Sequence, residues 1–237
     1  MALRAVFLDV GNTLLREEPG RFSQYALAAA EEGLRVPEAD MRALMIEAHH
    51  ALPREIDGAW RYTDPWFEHY IRFIFRDRLG LDEQRLAPLA TRLFARFSDP
   101  AMFRVHAGGF ELLASLRRAG LVVGIVSNWS PRLPPLLERL GIAREVDFVL
   151  CSAIERLEKP DRAIFERALR LAGVADPRDA LHAGDHAEKD IAGARAVGLQ
   201  AALVDHAGDA TAVPGAHLVR DLDGLAALVE RLRAGQP

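Results

Sequence analysis

The sequence predicts an α/β protein whose doubly wound parallel sheet is interrupted by an inserted bundle of helices. Short apolar runs alternate with helical patterns through the second half of the chain, which is typical of a parallel sheet wrapped by helices. Residues 16–100 show helical periodicity instead, with no strand pattern. We therefore predict an α/β core domain of residues 1–15 and 101–237, and an all-α cap domain of residues 16–100.

The predicted strands are short and apolar. The first covers residues 4–9 and ends in an acidic residue, Asp9. The second, residues 121–126, is a continuous apolar run, as expected for a strand that is covered on both faces. Four further runs share this character and complete the predicted sheet: Phe148–Cys151, Ala180–Ala183, Ala201–Val204 and His217–Val219.

Helical patterns fill the segments between these strands and the whole of the insert. In the core they cover residues 109–119, 161–172, 188–196 and 223–233, and Gly173 is a predicted stop signal. Apolar stripes in the insert predict four helices around residues 22–29, 41–48, 66–74 and 86–97. Amphipathic helices of this kind form small bundles.

The composition narrows the classes of protein that fit. The chain has 237 residues, with 30 basic and 34 acidic side chains, so its formal net charge is −4 and nothing indicates binding to nucleic acid or to an anionic membrane. No apolar stretch is long enough to span a membrane, and the N-terminus lacks a signal-peptide pattern. The single cysteine, Cys151, favours a reducing compartment, so we expect a cytoplasmic protein, either a monomer or a homodimer.

Two rare residue types mark positions of interest. Arginine accounts for 28 of the 30 basic residues, and the only lysines are Lys159 and Lys189. The only asparagines are Asn12 and Asn128. Coding bias or selection against labile amides explains the background, so the positions that retain these residues are candidates for a functional role.

Polar residues of complementary chemistry follow the predicted strands. Ligands bind at the carboxyl ends of parallel strands, so these residues are expected at one edge of the sheet. A carboxylate can act as a nucleophile, paired carboxylates suit Mg²⁺, and a lysine supplies a compact positive charge for a phosphoryl group. The candidates are Asp9, Asn12, Ser127, Asn128, Lys159, Asp185 and Asp190.

The order of these residues resembles a known family. Asp9–Thr13, Ser127–Asn128, Lys159–Asp161 and Gly184–Asp190 are similar to the four ordered motifs of the haloacid dehalogenase-like (HAD) superfamily, which has a Rossmann-like core. The helical insert resembles the C1-type cap of that superfamily. Within it, the segments Phe148–Ser152 and Lys159–Leu169 most resemble the branch of haloacid dehalogenase-like hydrolase domain-containing protein 3.

The resemblance implies a Mg²⁺-dependent phosphatase that acts on a small phosphorylated metabolite through an aspartyl-phosphate intermediate. Asp9 would be the nucleophile, and Lys159 would assist catalysis and hold the phosphoryl group. The phosphoryl group would also meet Asn12, Ser127 and Asn128. The metal ligands would be Asp9, the carbonyl of Gly11 and Asp185, with Asp190 in or next to the metal shell.

One position departs from the family pattern. Phosphatases of the family carry Asp two residues after the nucleophile as a general acid/base, whereas this chain has Gly11. Losing such a group typically slows a reaction by ~10²–10⁴-fold. His186, Glu17, Glu18 or a water molecule could replace it, and the sequence does not choose among them.

Other functions remain open on the sequence alone. The chain could bind a phosphorylated ligand or a partner protein without turnover, because its general acid is missing. It could also be a 2-haloacid dehalogenase, although such enzymes need no metal and typically carry Tyr at the position of Gly11. In simpler interpretations, Ser127 and Asn128 only cap a helix, and Asp185 and Asp190 only interact with a helix dipole.

Overall fold

The chain forms two compact units in a computed structural model that describes residues 3–236. The α/β unit runs to Arg16 and also contains Arg104–Trp129 and the residues from Leu133 onward. The helical unit contains Glu17–Phe103 and the short segment Ser130–Arg132. No helix in the described part of the chain combines the length and apolar character that crossing a membrane requires.

A six-stranded parallel sheet forms the centre of the α/β unit, which confirms the predicted fold class. The order across the sheet is β10-β9-β8-β1-β6-β7, and its neighbouring strands all run parallel. Its strands are β1 (Ala5–Leu8), β6 (Val122–Ser127), β7 (Phe148–Cys151), β8 (Ala180–Gly184), β9 (Gln200–Val204) and β10 (His217–Val219).

The strand order places β1 between β6 and β8. The chain moves from β1 through β6 to β7 on one side, and then returns to the other side with β8. Ligands bind outside the carboxyl ends of strands at such a reversal of direction. The residues that follow β1, β6 and β8 therefore lie at the position where a site is expected.

Helices surround this sheet. They are α5 (Gly109–Arg118), α6 (Leu133–Arg139), α7 (Ser152–Glu155), α8 (Arg162–Ala172), α9 (Gly193–Ala196) and α10 (Leu222–Arg233). Gly173 ends α8 in the left-handed region, with φ +63°, as the sequence predicted. The helix predicted over residues 188–196 differs in detail, because Ala187–Ala192 forms a π-helical turn that leads into α9.

The helical unit contains the four predicted helices, packed around an aromatic core. They are α1 (Arg21–Glu31), α2 (Glu38–Ala51), α3 (Asp64–Ile71) and α4 (Glu83–Arg96), and a π-helical segment, Arg72–Arg78, continues α3. Trp66, Ile74 and Phe75 are fully buried in this core. Burial of aromatic and aliphatic surface is the main stabilising contribution in a bundle of this kind.

The prediction of an insert without strands was wrong at two places. A small antiparallel hairpin joins β3 (Glu55–Ile56) to β4 (Ala59–Trp60). Asp57 and Gly58 form its turn, with φ +50° and +81°. An Asp-Gly pair is a strong signal for a hairpin, but strands of two residues are too short to show an alternating pattern. The strand β2 (Leu15–Glu17) also extends into the predicted insert, and it pairs with β5 (Phe103–Val105), which lies outside the insert.

Candidate active site

Asp9 directly follows β1 and is almost completely buried, at 6% exposure. Its backbone N–H donates to the carbonyl of Ala183 at 2.9 Å, which continues the β1–β8 pairing beyond the strand. Its carboxylate Oδ1 accepts from Ser127 Oγ at 2.8 Å and from Lys159 Nζ at 2.6 Å. No described residue donates to Oδ2, so one oxygen of Asp9 is held and the other is available.

Lys159 lies between α7 and α8, and its ammonium group is buried between two carboxylates. Its Nζ is 2.6 Å from Asp9 Oδ1 and 2.5 Å from Asp190 Oδ1. Burial alone would lower the pKa of Lys159, but the charges of Asp190 and Asp9 outweigh it and raise the pKa above its usual value. The side chain is therefore a fixed cation at neutral pH.

Asn128 holds the backbone of Lys159 with both ends of its amide. Its Oδ1 accepts from the Lys159 N–H at 2.8 Å, and its Nδ2 donates to the Lys159 carbonyl at 2.9 Å. The pair joins the loop after β6 to the segment before α8. Both polar atoms of the Asn128 side chain are therefore occupied, and Asn128 positions Lys159 through its backbone.

Asp190 lies in the π-helical turn after β8, and all of its described contacts are with donors. Oδ1 meets Lys159 Nζ and His182 Nε2, at 2.5 and 2.8 Å, and Oδ2 accepts from the His186 N–H at 3.0 Å. Burial would raise the pKa of Asp190, but the Lys159 charge and the bond with His182 outweigh it and hold the pKa well below its usual range. Asp190 is therefore a buried, ionised carboxylate.

Gly184 makes this position of Asp190 possible. A Cβ added at Gly184 would lie 2.2 Å from the carboxyl carbon of Asp190, a distance that real atoms do not adopt. Because Gly184, the last residue of β8, has no side chain, the Asp190 carboxylate can pack directly against the strand.

Asp185 comes directly after β8 and is the least compensated acid of the cluster. Its Oδ2 accepts from Asn12 Nδ2 at 3.2 Å. Burial, together with the nearby charges of Asp9 and Asp190, raises the pKa of Asp185 to about 7. Asn12 reaches it from the loop after β1 with φ +54°, a left-handed conformation that asparagine tolerates.

The three carboxylates form a cluster that suits a divalent metal ion. One oxygen from each of Asp9, Asp185 and Asp190 lies within 4.8 Å of the others. Carboxylate oxygens are the ligands that Mg²⁺ and Ca²⁺ prefer, and a dication would relieve the repulsion that raises the Asp185 pKa. Because donors already occupy both oxygens of Asp190, Asp9 and Asp185 are better placed than Asp190 to bind an ion directly.

The candidates for a replacement general acid have other contacts. Glu17 belongs to the helical unit, where its carboxylate accepts from the backbone and the guanidinium of Arg21, and Glu18 belongs to the same unit. His186 is exposed and uses Nδ1 to accept from the Glu188 and Lys189 N–H groups at 3.3 Å. Gly11 has φ outside the left-handed region, so its backbone would accept other residues.

One residue of the cluster, His182, is not among the candidates that the sequence suggested. It is completely buried on β8 and also bonds Asp190. A polar residue in an otherwise apolar strand, three positions before Asp185, was the only available signal.

A family model for haloacid dehalogenase-like hydrolases matches residues 3–198. The chain belongs to this family. Haloacid dehalogenase-like hydrolase domain-containing protein 3 of Bos taurus is 34% identical over 208 residues, covering 86% of this chain and 82% of the relative. This similarity confirms the predicted branch. A phosphoserine phosphatase of Thermus thermophilus is 31% identical over 227 residues, covering 86% of this chain and 89% of the relative.

Solved structures confirm the fold. A HAD phosphatase from Thermococcus onnurineus matches with a TM-score of 0.67 and 23% identity, covering 96% of this chain and 98% of that one. A 2-haloacid dehalogenase from Pseudomonas syringae matches with the same TM-score and 22% identity, covering 97% and 99%. Both chemistries therefore occur on this fold, and only the site residues can discriminate between them.

Proposed function

We propose that this HAD-family hydrolase is a Mg²⁺-dependent phosphatase that cleaves a small phosphomonoester through an aspartyl-phosphate intermediate on Asp9. The observation that carries the proposal is the state of Asp9. One of its oxygens is fixed by Lys159 and Ser127, the other is available, and Asp185 lies beside it. The similarity to a phosphoserine phosphatase supports the same reaction class.

In the first step, Asp9 Oδ2 attacks phosphorus and the bond from phosphorus to the leaving oxygen breaks. The products are aspartyl phosphate and the free alcohol, which takes up a proton. Lys159 and Ser127 hold Oδ1 and orient the attacking oxygen, and their positive charge and hydroxyl stabilise the charge that the phosphoryl oxygens carry. Positioning and charge neutralisation supply most of the catalysis in reactions of this type.

In the second step, water attacks phosphorus and releases inorganic phosphate, which restores the Asp9 carboxylate. The family's usual acid/base is absent at Gly11, so the leaving alcohol must obtain its proton from water or from the substrate itself. Substrates whose leaving groups are already acidic lose least from this absence. We therefore propose a preference for enol or aryl phosphates over simple alkyl phosphates.

The metal ion would be held by Asp9, Asp185 and the carbonyl of Gly11, and it would neutralise phosphate charge during binding and transfer. Asp190 would act next to this shell by holding Lys159. Asn12 would orient Asp185, and Asn128 would set the position of Lys159. In this proposal the two asparagines act through their neighbours, whereas the sequence suggested direct contact with the phosphoryl group.

We also propose that the helical unit is the C1-type cap domain of the family. Its helices would then shape the choice of substrate. The residues of its aromatic core, such as Trp66, are too deeply buried to contact a ligand directly.

The decisive experiment measures phosphate release from a panel of esters with Mg²⁺ and with a chelator. Wild-type protein should turn over only with the metal, and Asp9→Asn should abolish turnover. Asp209→Asn, an exposed position in the same unit, is the matched control and should behave like wild type. Turnover that survives Asp9→Asn would remove this mechanism, and chloride release from 2-chloropropionate would favour a dehalogenase instead.

The absence of a side chain at Gly11 specifically favours one other function, binding without turnover. In that case the Asp9 cluster would hold Mg²⁺ and a phosphorylated ligand as a recognition site. Calorimetry would then detect Mg²⁺-dependent binding of inorganic phosphate or fluoroberyllate, while the ester panel would show no hydrolysis with any substrate.

A further inference from the structure

His182 is a buried titratable residue that the proposed reaction does not use. It lies on β8 opposite Phe7 of β1, with an exposed fraction of zero. Its ring has one hydrogen bond, between Nε2 and Asp190 Oδ1 at 2.8 Å. Its other nitrogen, Nδ1, is buried without a hydrogen-bond partner among the described residues.

We propose that His182 is a positioning residue that fixes Asp190, and through it holds the Lys159 ammonium against Asp9. The effect on turnover rests on the function proposed above, whereas the effect on Lys159 does not. The inference starts from a shared atom. Asp190 Oδ1 is the contact of both His182 Nε2 and Lys159 Nζ.

Sharing one oxygen makes the two donors depend on each other. The other oxygen of Asp190 is fixed by the His186 N–H, and the carboxyl carbon lies against Gly184. His182 Nε2 holds Oδ1 and the His186 N–H holds Oδ2, so the carboxylate of Asp190 cannot rotate without losing one of these bonds. Without His182, Lys159 would be the only side chain bonded to Oδ1. The Asp190 carboxylate could then rotate, and the Lys159 ammonium could follow it away from Asp9.

A role in packing alone does not explain a histidine at this position. An aliphatic side chain would fill the space between β1 and Phe165 without burying a polar atom, whereas His182 leaves Nδ1 unpaired. An unpaired buried polar atom costs about 1–3 kcal/mol. Asp190 Oδ1 already accepts from Lys159 Nζ and therefore acts as an acceptor, so His182 Nε2 is the donor in the bond between them. The favourable contact that offsets the unpaired atom is the bond to Asp190.

The chain offers a direct readout of this role because it contains only two lysines. Lys159 is buried and Lys189 is partly exposed, so an amine-acetylating reagent should modify Lys189 readily and Lys159 slowly. Mass spectrometry of the peptides gives the ratio of the two initial rates within one protein. That ratio reports how firmly the ammonium of Lys159 is held, and it requires neither a substrate nor turnover.

Three variants separate positioning from packing. His182→Met introduces an apolar side chain of similar volume and removes the hydrogen-bond donor. It should raise the ratio of the Lys159 to the Lys189 acetylation rate on the order of tenfold, which corresponds to the loss of one hydrogen bond to a charged group. His182→Gln can present an amide nitrogen to Asp190 and should restore the wild-type ratio. Phe165→Leu disturbs the packing against the ring while leaving the donor in place, and should also keep the wild-type ratio.

All ratios are to be compared at urea concentrations that give the variants equal free energies of unfolding. An unchanged ratio in His182→Met, or equal ratios in the Met and Gln variants, would overturn the proposal. If His182→Met does not fold, His182→Asn takes its place, because its shorter amide does not extend to Asp190 and should raise the ratio in the same way.

Steady-state kinetics supply the second readout. On an ester that the wild type hydrolyses, His182→Met should lower kcat with little change in KM, and His182→Gln should recover kcat. A wild-type protein that hydrolyses no ester would refute the proposed function, while the lysine ratio would still decide the role of His182. A merely structural residue would change stability without this pattern of recovery.

Discussion

The two units of the molecule differ in how completely they bury their ion pairs. The α/β unit buries Asp9, Lys159 and Asp190 at the ends of its strands, where each carboxylate and the ammonium has defined partners. The helical unit places pairs such as Arg72–Glu83 at its surface, over a core of aromatic and aliphatic side chains. Exposed pairs contribute little, whereas breaking a buried pair leaves an uncompensated charge. The pairs in which both partners are buried, Lys159 with Asp9 and with Asp190, lie at the candidate site.

The largest expected effect comes from removing the buried cation. Lys159→Met leaves Asp9 and Asp190 without their ammonium partner and should lower the free energy of unfolding by about 3–5 kcal/mol, besides abolishing turnover. The matched change in the helical unit, Arg72→Met, removes an exposed cation and should cost less than about 1 kcal/mol. Urea unfolding measures the free energy of unfolding of both variants. Equal losses of stability would show that the buried and the exposed cation contribute alike.

A smaller loss of stability is expected when a side chain at Gly184 displaces Asp190. Gly184→Ala introduces a Cβ that meets the Asp190 carboxyl group at 2.2 Å and should cost about 1–3 kcal/mol, with a parallel loss of kcat. Gly20→Ala in the helical unit meets nothing within 4 Å and serves as the control. If thermal unfolding shows the same small change for both variants, the close packing of Asp190 has no energetic consequence.

A third prediction concerns a carboxylate added to the α/β unit. Gly11→Asp restores the family's general acid and should raise kcat on an alkyl phosphate by about 10–100-fold, with a smaller gain on an aryl phosphate. The extra negative charge near Asp9 and Asp185 should also lower stability in the presence of a chelator. The two substrates are compared in steady-state assays. Equal rates for wild type and variant would mean that another group already donates the proton.

The smallest effect concerns two stacked histidines in the α/β unit. His106 stacks on His206 with ring centroids 3.7 Å apart, and burial, with contributions from His206 and Arg16, lowers the pKa of His106 to about 4. An unfolded histidine titrates near pH 6.5, so between these values the unfolded chain binds more protons. The free energy of unfolding should therefore fall as the pH drops from about 6.5 to about 4, and this contribution should not fall further below that.

His106→Gln should flatten that part of the pH profile, because it removes the group that takes up the proton on unfolding. His50→Gln, at an exposed position of the helical unit, should leave the profile unchanged. Urea unfolding at several pH values provides the measurement. A wild-type slope in the His106 variant would assign the pH dependence to other groups.

Local patterns predicted most of the regular structure. Continuous apolar runs marked the strands of the main sheet, and Gly173 marked the end of α8. The failures were short or irregular elements. Two-residue strands beside Asp57–Gly58 are too short for periodicity to detect. The π-helical segments Arg72–Arg78 and Ala187–Ala192 lie where the apolar pattern predicts a helix, and that pattern does not distinguish π-helical from α-helical turns.

The residue types at the ends of the strands can be read from the amino-acid sequence, because an acid or a lysine after an apolar run is a local pattern. The contacts that these residues make depend on the folded chain. Lys159 and Asp190 are 31 residues apart, and they meet because β1 lies between β6 and β8, an order that no local pattern encodes. The same order brings Ser127 and Lys159 to one oxygen of Asp9 and leaves the other oxygen available, since hydrogen-bond geometry depends on positions that only the folded sheet fixes.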